Sequence, residues 1–523
     1  MKWTAADKKQ IRKQGASTEV VQRQIRLFAN PPPAPVLDRP ATVGDGIRKL
    51  SASEVKSYAA KGKRSQARGR HMKFVPASGA ASRMFQSLLA LKQRGIPLTR
   101  SSVAQAAAND ADAKQALVFI DYWDRFAFSD ALRDAMRKRG LDANTCAARG
   151  EFEPIIRHLL EPEGLGYAHL PKVLILFHRE GKEARTALEE HWVEASAYAA
   201  DRTGRSRLHV TVSPEHLKRI QELVAERLPV WQKRLKVRFA IAFSTQPLST
   251  NTIAVTPDNK PFRTKERKLL FRPGGHGSLI ENLARLKGDI VLIKNIDNVA
   301  PDHLKAPTIL WKLALAGLLA DLQQQTAGWL ARLDKTPAPA TLRQAEAFLK
   351  QAFGREVQAA DKPAVRKKAL ITALARPIRV CGVVKNSGEP GGGPFWVQDA
   401  GGGRSLQIIE SAQVANDARQ KAVFQAGTHF NPVDLVCGLR NHKGKPFALD
   451  RFIDSDAVFI TEKSKDGKPL KALELPGLWN GAMAKWLTVF VEVPAETFNP
   501  VKTVNDLLRP SHQPAVEEGK HGR

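Results

Sequence analysis

The sequence predicts an α/β protein with a sheet covered by helices, and three observations carry that prediction. Apolar runs of strand length recur at residues 73–76, 172–177, 208–212, 237–243 and 289–294. Helical spacing of apolar residues fills the stretches between them, as at 83–92 and 186–199. Turn chemistry separates the two kinds of segment, as at 273–277 (PGGHG). Repeated strand–helix alternation implies a parallel sheet with helices on its faces. With 523 residues the chain can bury a core without disulfide or metal staples.

Taken in order, residues 1–70 read as a helical start, a proline stretch at 31–35 and a Lys/Arg-rich loop. Residues 100–165 read as helices with turns. Pro214 sits where a first helical turn tolerates proline, so it opens a helix that runs to Leu228. Residues 307–375 are mostly helical, with a link at 337–339. From Arg376 the texture becomes β-rich with glycine clusters at 391–393 and 401–403. The tetrad Phe-Asn-Pro-Val, at Phe430 and again at Phe498, reads as two separate turns. The expected division is a basic segment 1–70, a core 71–375, a β-rich part 376–510 and a disordered tail 511–523.

Charge narrows the partners. The chain has 82 Lys/Arg against 52 Asp/Glu, a net +30. Residues 1–70 hold 16 Lys/Arg against 5 Asp/Glu, and the rest of the excess is spread out. Nucleic acid is the obvious partner for such a balance. A dispersed excess fits better with a basic chain that handles phosphorylated small molecules. Three cysteines (Cys146, Cys381, Cys437), none in a C-x-x-C, exclude a zinc ribbon and a disulfide scaffold and point to a reducing compartment. There is no apolar leader and no run of the ~18 apolar residues a membrane span needs, so a cytoplasmic protein without a membrane partner is expected.

Four segments carry candidate chemistry. Residues 75–84 (VPASGAASRM) follow a strand and precede a helix. Their small residues at Ala77, Ser78, Gly79 and Ser82 let the backbone approach an anion, and Arg83 adds a guanidinium. Residues 273–277 set Gly274, Gly275 and Gly277 around His276, leaving a loop of exposed N–H groups. Residues 293–298 (IKNIDN) end a strand, where α/β sheets bind ligands, and Asp297 there is a candidate Mg²⁺ ligand. Residues 498–507 (FNPVKTVNDL) bring Lys502 just before a candidate N-cap, Thr503. Asp110-Ala-Asp112 and Asp454-Ser-Asp456 have the D-x-D form of a glycosyltransferase metal site, but neither follows an apolar strand.

The order of these pieces resembles the UTP-dependent sugar-1-phosphate uridylyltransferases, the UDP-glucose and UDP-N-acetylglucosamine pyrophosphorylases. Their L-x-G-G-x-G-T-R-[LM] opening is matched at Gly79, Ser82, Arg83 and Met84, with Ser78 and Ala81 standing where the family has glycine. Lys172 in Leu170-Pro-Lys-Val-Leu174 resembles the family's P-K lysine. Residues 210–213 (VTVS) resemble its [MT]-[TV]-S strand end, and Phe243-Ser-Thr-Gln-Pro247 resembles F-x-Q-x-x-x-P. P-G-G-H-G and N-I-D-N are nearly literal at 273–277 and 295–298, and 498–507 resembles F-[LV]-P-V-K-T-x-x-D-L.

The resemblance implies a Rossmann-like, GT-A type mixed sheet flanked by helices, with the β-rich C-terminal part completing a sugar site. It implies that an NTP, UTP first, and a sugar-1-phosphate give a nucleotide-sugar and pyrophosphate. Arg83, Lys172 and Lys502 would be catalytic cations, Asp297 would hold Mg²⁺, and Gln246 would read the base beside the Gly274–Gly277 amides. Glu410, Thr428, His429 and Asn431 would hold the sugar. The competing readings are a sugar-nucleotide glycosyltransferase and a non-catalytic basic nucleic-acid-binding protein.

Overall fold

The computed structural model describes residues 2–79, 81–358, 361–388, 391–399 and 402–515. The chain forms two compact units, neither continuous in sequence. The first is Met1–Met72, Ser244–Ile293 and Lys312–Ala495; the second is Lys73–Phe243, Lys294–Trp311 and Glu496–Arg523.

The second unit is built on the strands His71–Pro76, Arg205–Thr211 and Arg238–Ser244, side by side in that order. The first two run parallel, with Lys73 opposite Leu208 and Pro76 opposite Thr211, so both end at one level. The helix Ala187–Tyr198 follows from its capping box, in which Thr186 and Glu189 satisfy each other's backbone N–H. Phe119, Phe126, Phe128, Ile155 and Trp192 lie fully buried in one apolar cluster. Each such side chain contributes about 1.5–3 kcal/mol by leaving water.

Two boundaries differ from the sequence reading. The helix Leu217–Leu235 continues through Pro229 instead of stopping at Leu228. Pro229 faces solvent, so the carbonyl it leaves unbonded is not sealed in the core, and buried Trp231 holds the next turn by donating from Nε1 to Glu189 Oε1 at 2.9 Å. Residues 172–177 are not one strand: Lys172–Leu174 form a 3-10 turn and the strand is Leu176–Glu180. Of the expected disordered tail, Pro510–His512 form a turn with His512 buried, and 516–523 lie outside the described residues.

The first unit contains six adjacent strands in the order Thr42–Val43, Gly46–Arg48, Leu487–Glu492, Ile378–Lys385, His429–Gly438 and Ile290–Ile293. This sheet is mixed rather than parallel: Ile378–Lys385 runs parallel to Leu487–Glu492, whereas His429–Gly438 is antiparallel to both its neighbours. Phe430 to Val433 lie inside that strand, beside a register irregularity, and are not the turn expected of them.

Residues 52–67 are a helix, not a basic loop. Ser51 and Glu54 form its capping box, and Gly62 lets it lie against the long helix Lys305–Asp334. A Cβ on Gly62 would stand 2.0 Å from Leu313 O, and one on Gly317 1.8 Å from Tyr58 O. Cys146, Cys381 and Cys437 are buried and free. No helix among the described residues is long and apolar enough to cross a membrane.

Candidate functional site

In the second unit, four of the predicted segments meet. The loop that leaves His71–Pro76 is stitched on one side to the end of Arg205–Thr211. Ala77 N–H donates to Thr211 O at 3.0 Å, and Ser213 Oγ donates to Ser78 O at 3.0 Å. On its other side Ala81 N–H donates to Leu170 O at 3.0 Å, which sets the loop beside Lys172. Gly79 is exposed, and a Cβ there would meet none of the described residues within 4 Å. Ser82 and Arg83 fall in the 3-10 turn Ala81–Arg83. Arg83 is exposed, and its guanidinium has no ion-pair or hydrogen-bond partner among the described residues.

Lys172 joins this loop to two other segments. Its Nζ donates to Asp297 Oδ2 at 2.8 Å and to Val501 O at 2.7 Å. The segment bearing Asp297 is zipped to the one bearing Lys502. Val501 N–H donates to Asp297 O at 3.1 Å, and Asn499 N–H to Asn298 Oδ1 at 2.8 Å. Asp506 then accepts from the N–H groups of both Lys502 and Thr503, forming the cap expected at Thr503. Val504 N–H closes the circuit on Met84 O at 2.9 Å, next to Arg83. Arg83, Lys172, Asp297 and the backbone of Lys502 thus occupy one neighbourhood.

A charged layer that the sequence reading missed lies buried in the same unit. Glu194 accepts from Lys73 at 2.9 Å and from Lys294 at 2.8 Å, and all three side chains are essentially inaccessible. The two ammonium groups hold Glu194 ionised against a burial that opposes it. His191, kept neutral by burial, bonds through Nε2 to Ile296 O at 3.2 Å and so steadies the residue before Asp297. The available signal was Lys73 itself, a charge in the middle of an apolar strand.

The first unit holds the other predicted residues. The 273–277 loop is not an open turn, because residues 474–478 pack over it. A Cβ on Gly277 would lie 2.3 Å from Pro476 O, and one on Gly274 2.4 Å from Thr250 O. Gly275 adopts φ +74°, a region that favours glycine. The His276 ring lies tilted against Trp479, 4.6 Å between centroids, and its Nδ1 accepts from Leu478 N–H at 3.1 Å. Its Nε2 lies 3.5 Å from Glu410 Oε1. Burial pushes His276 down to about 4 and Glu410 above the usual carboxylate range. At neutral pH the pair is therefore a neutral imidazole beside a carboxylate whose proton affinity is raised.

His429 is committed elsewhere. Its Nδ1 bonds Thr428 Oγ1 at 2.8 Å and its Nε2 bonds Glu492 at 3.0 Å, so neither ring nitrogen is left for a sugar hydroxyl. Asn431 Oδ1 is buried beside Gly392 without a hydrogen-bond partner among the described residues. Gln246 lies just past the strand Arg238–Ser244.

The D-x-D pairs serve other purposes. Asp110 caps the helix Ala111–Asp121, and both Asp110 and Asp112 pair with Arg94. Asp454 accepts from Asp456 N–H within its own turn. No group of three His, Cys, Asp or Glu suited to a metal occurs among the described residues. Mg²⁺ commonly takes one or two carboxylates and completes its shell with water and substrate phosphate oxygens. Asp297 fits that mode, since Lys172 engages its Oδ2 and no described residue bonds its Oδ1.

Against known proteins, the family described as "Domain of unknown function (DUF4301)" matches residues 4–513, and the chain belongs to it. No curated protein matches the sequence. Among solved structures the chain is similar to UDP-N-acetylglucosamine pyrophosphorylase from Trypanosoma brucei, at 12% identity over 94% of this chain and 74% of that one, TM-score 0.46. It is also similar to a variant of UDP-glucose pyrophosphorylase from Leishmania major in complex with UDP-glucose, at 12% identity over 97% and 79%, TM-score 0.41. A third is UDP-glucose phosphorylase from Trypanosoma brucei, at 13% identity over 96% and 77%, TM-score 0.44.

Proposed function

We propose that the chain is a nucleotidyltransferase that condenses an NTP, UTP in the first instance, with a sugar-1-phosphate to give a nucleotide-sugar and pyrophosphate. The observation that carries this reading is the meeting of the 77–83 loop, Lys172, Asp297 and the 501–502 segment in one unit.

A sugar phosphate is already an anion at neutral pH, so its oxygen attacks the α-phosphorus without a general base. The barrier lies in bringing two polyanions together, and the protein lowers it by positioning and by preplaced positive charge. Arg83, exposed at the end of the small-residue loop, takes the triphosphate. Lys172 is held by Asp297 and Val501 O, so its ammonium is oriented before substrate arrives. Lys502 supplies a second cation from the segment that Asp506 fixes. Asp297 is the residue that would hold Mg²⁺, which when bound neutralises phosphate charge and polarises the phosphorus–oxygen bonds.

The same reading gives the base to Gln246 and the amides of Gly274–Gly277, and the sugar to Glu410, Thr428, His429 and Asn431, of which His429 would have to exchange its bond to Thr428 or Glu492 for a sugar hydroxyl. These roles rest on the resemblance in sequence. The test is a pyrophosphate-release screen of NTPs against a panel of sugar-1-phosphates with Mg²⁺. Release that requires one NTP and one sugar-1-phosphate supports the reading. Silence across the panel, with folded protein, opposes it.

A further inference from the structure

The first unit contains a recess of about 530 Å³ at one end of its sheet. It lies at the starts of the strands Ile290–Ile293 and Ile378–Lys385, since Ile290 and Ile378 both sit opposite Gly438. His429 pairs with Lys385 at the other end of that ladder, so the recess is remote from the residues expected to hold a sugar. Ligands of open α/β sheets usually sit at the opposite, carboxyl end of the strands.

The lining is strongly cationic. It includes six Lys/Arg and two carboxylates, Asp289 and Asp321. Lys61 pairs with Asp321 and Arg70 with Asp289, which uses up both acids. Four arginines remain without a carboxylate. Among the described residues Arg376 donates only to backbone carbonyls of Thr372 and Lys485, and Arg440 only to those of Gly444 and Lys287. Arg64 and Arg68 have no side-chain partner among the described residues.

Two further features show a built wall rather than a chance crowding of charge. Thr326, only 5% exposed, lines the recess with its Oγ1 buried and without a hydrogen-bond partner among the described residues. Gly438 gives space to Gln323, whose Nε2 would stand 2.5 Å from a Cβ there, while its Oε1 accepts from Arg70 at 2.8 Å. Like charges gathered in a concave site repel one another until an anion enters, and guanidinium groups suit phosphate because they bond it in pairs.

We propose that this recess binds a small phosphorylated polyanion, distinct from any ligand of the second unit. Its volume suits a molecule of nucleotide size or smaller. Arg64 and Arg68 meet the phosphate oxygens, Arg376 and Arg440 set the background charge, and the Thr326 hydroxyl takes an inner oxygen.

The test is calorimetric titration of inorganic pyrophosphate into the full chain carrying Lys172→Ala, which weakens the site proposed in the second unit. One saturable event near 1:1 is expected. Adding Arg64→Ser and Arg68→Ser, both at exposed positions that the fold does not need, should weaken it about tenfold or more; Thr326→Val should weaken it as well. Absence of saturable binding in the Lys172→Ala protein overturns the proposal. So does binding indifferent to the arginine changes, or a single-stranded RNA that depends on the same arginines and is not displaced by pyrophosphate. Turnover lost in Lys172→Ala while this binding persists separates the two claims.

Discussion

Lys172 Nζ and Asp297 Oδ2 lie 2.8 Å apart although 125 residues separate them in sequence. Both groups are largely shielded, with side-chain exposures of 13% and 21%. The same ammonium also bonds Val501 O, one residue before Lys502. A cation fixed this way loses little freedom when a phosphate arrives, which is the condition for charge to lower a barrier rather than merely to attract ligand.

Lys502→Ala should lower kcat by ~10²-fold or more, the scale of one lost pre-organised charge contact. Unfolding curves of the variant should still show a folded protein, because the backbone N–H of residue 502 keeps its bond to Asp506. Turnover within a few fold of wild type would remove Lys502 from the site.

Glu194→Gln should destabilise the protein by roughly 3–5 kcal/mol, since it leaves Lys73 and Lys294 as buried cations without their anion. Denaturant midpoints measure this directly. A midpoint unchanged from wild type would mean that the buried charge layer does not hold the second unit together.

His276 makes stability depend on pH. Burial lowers its pKa from 6.5 to about 4 in the folded chain. Between those values the unfolded chain binds more protons, so the His276 contribution to stability should be constant above pH 6.5, fall as pH drops toward 4, and level off below that. With the ring partly exposed the loss is on the order of 1–3 kcal/mol. His276→Gln should remove that part of the acid sensitivity; a fall in urea midpoint between pH 6.5 and 4.5 that is the same in wild type and variant would contradict it.

Gly277→Ala should cost several kcal/mol or prevent folding of the first unit, because its Cβ would stand 2.3 Å from the backbone oxygen of Pro476. Gly79→Ala is the control: none of the described residues lies within 4 Å of its Cβ, so its thermal midpoint should barely move.

How much of this was legible in the sequence follows from what each signal depends on. The strands ending at Pro76 and Thr211 and the helix Ala187–Tyr198 could be read because apolar runs and the Thr186–Glu189 box are local signals. The helix Ala52–Ala67 has the same kind of signal in Ser51 and Glu54, but the density of lysine and arginine there hid it. Pro229 misled the reading because a helix can keep a proline where its surface is wet and a buried tryptophan follows.

The resemblance in motif order could line up Lys172, Asp297 and Lys502 along the chain. It could not show that Lys172 would bond Asp297, because that contact is made by the fold. Nor could it reveal that His429 spends both ring nitrogens on Thr428 and Glu492.

The most direct test compares wild type, Lys172→Ala and Asp297→Asn for pyrophosphate release from UTP with each of a panel of sugar-1-phosphates and Mg²⁺. The account predicts sugar-dependent release by wild type, reduced ~10²-fold or more in Lys172→Ala and abolished in Asp297→Asn. Release that survives both substitutions at wild-type rate would contradict it.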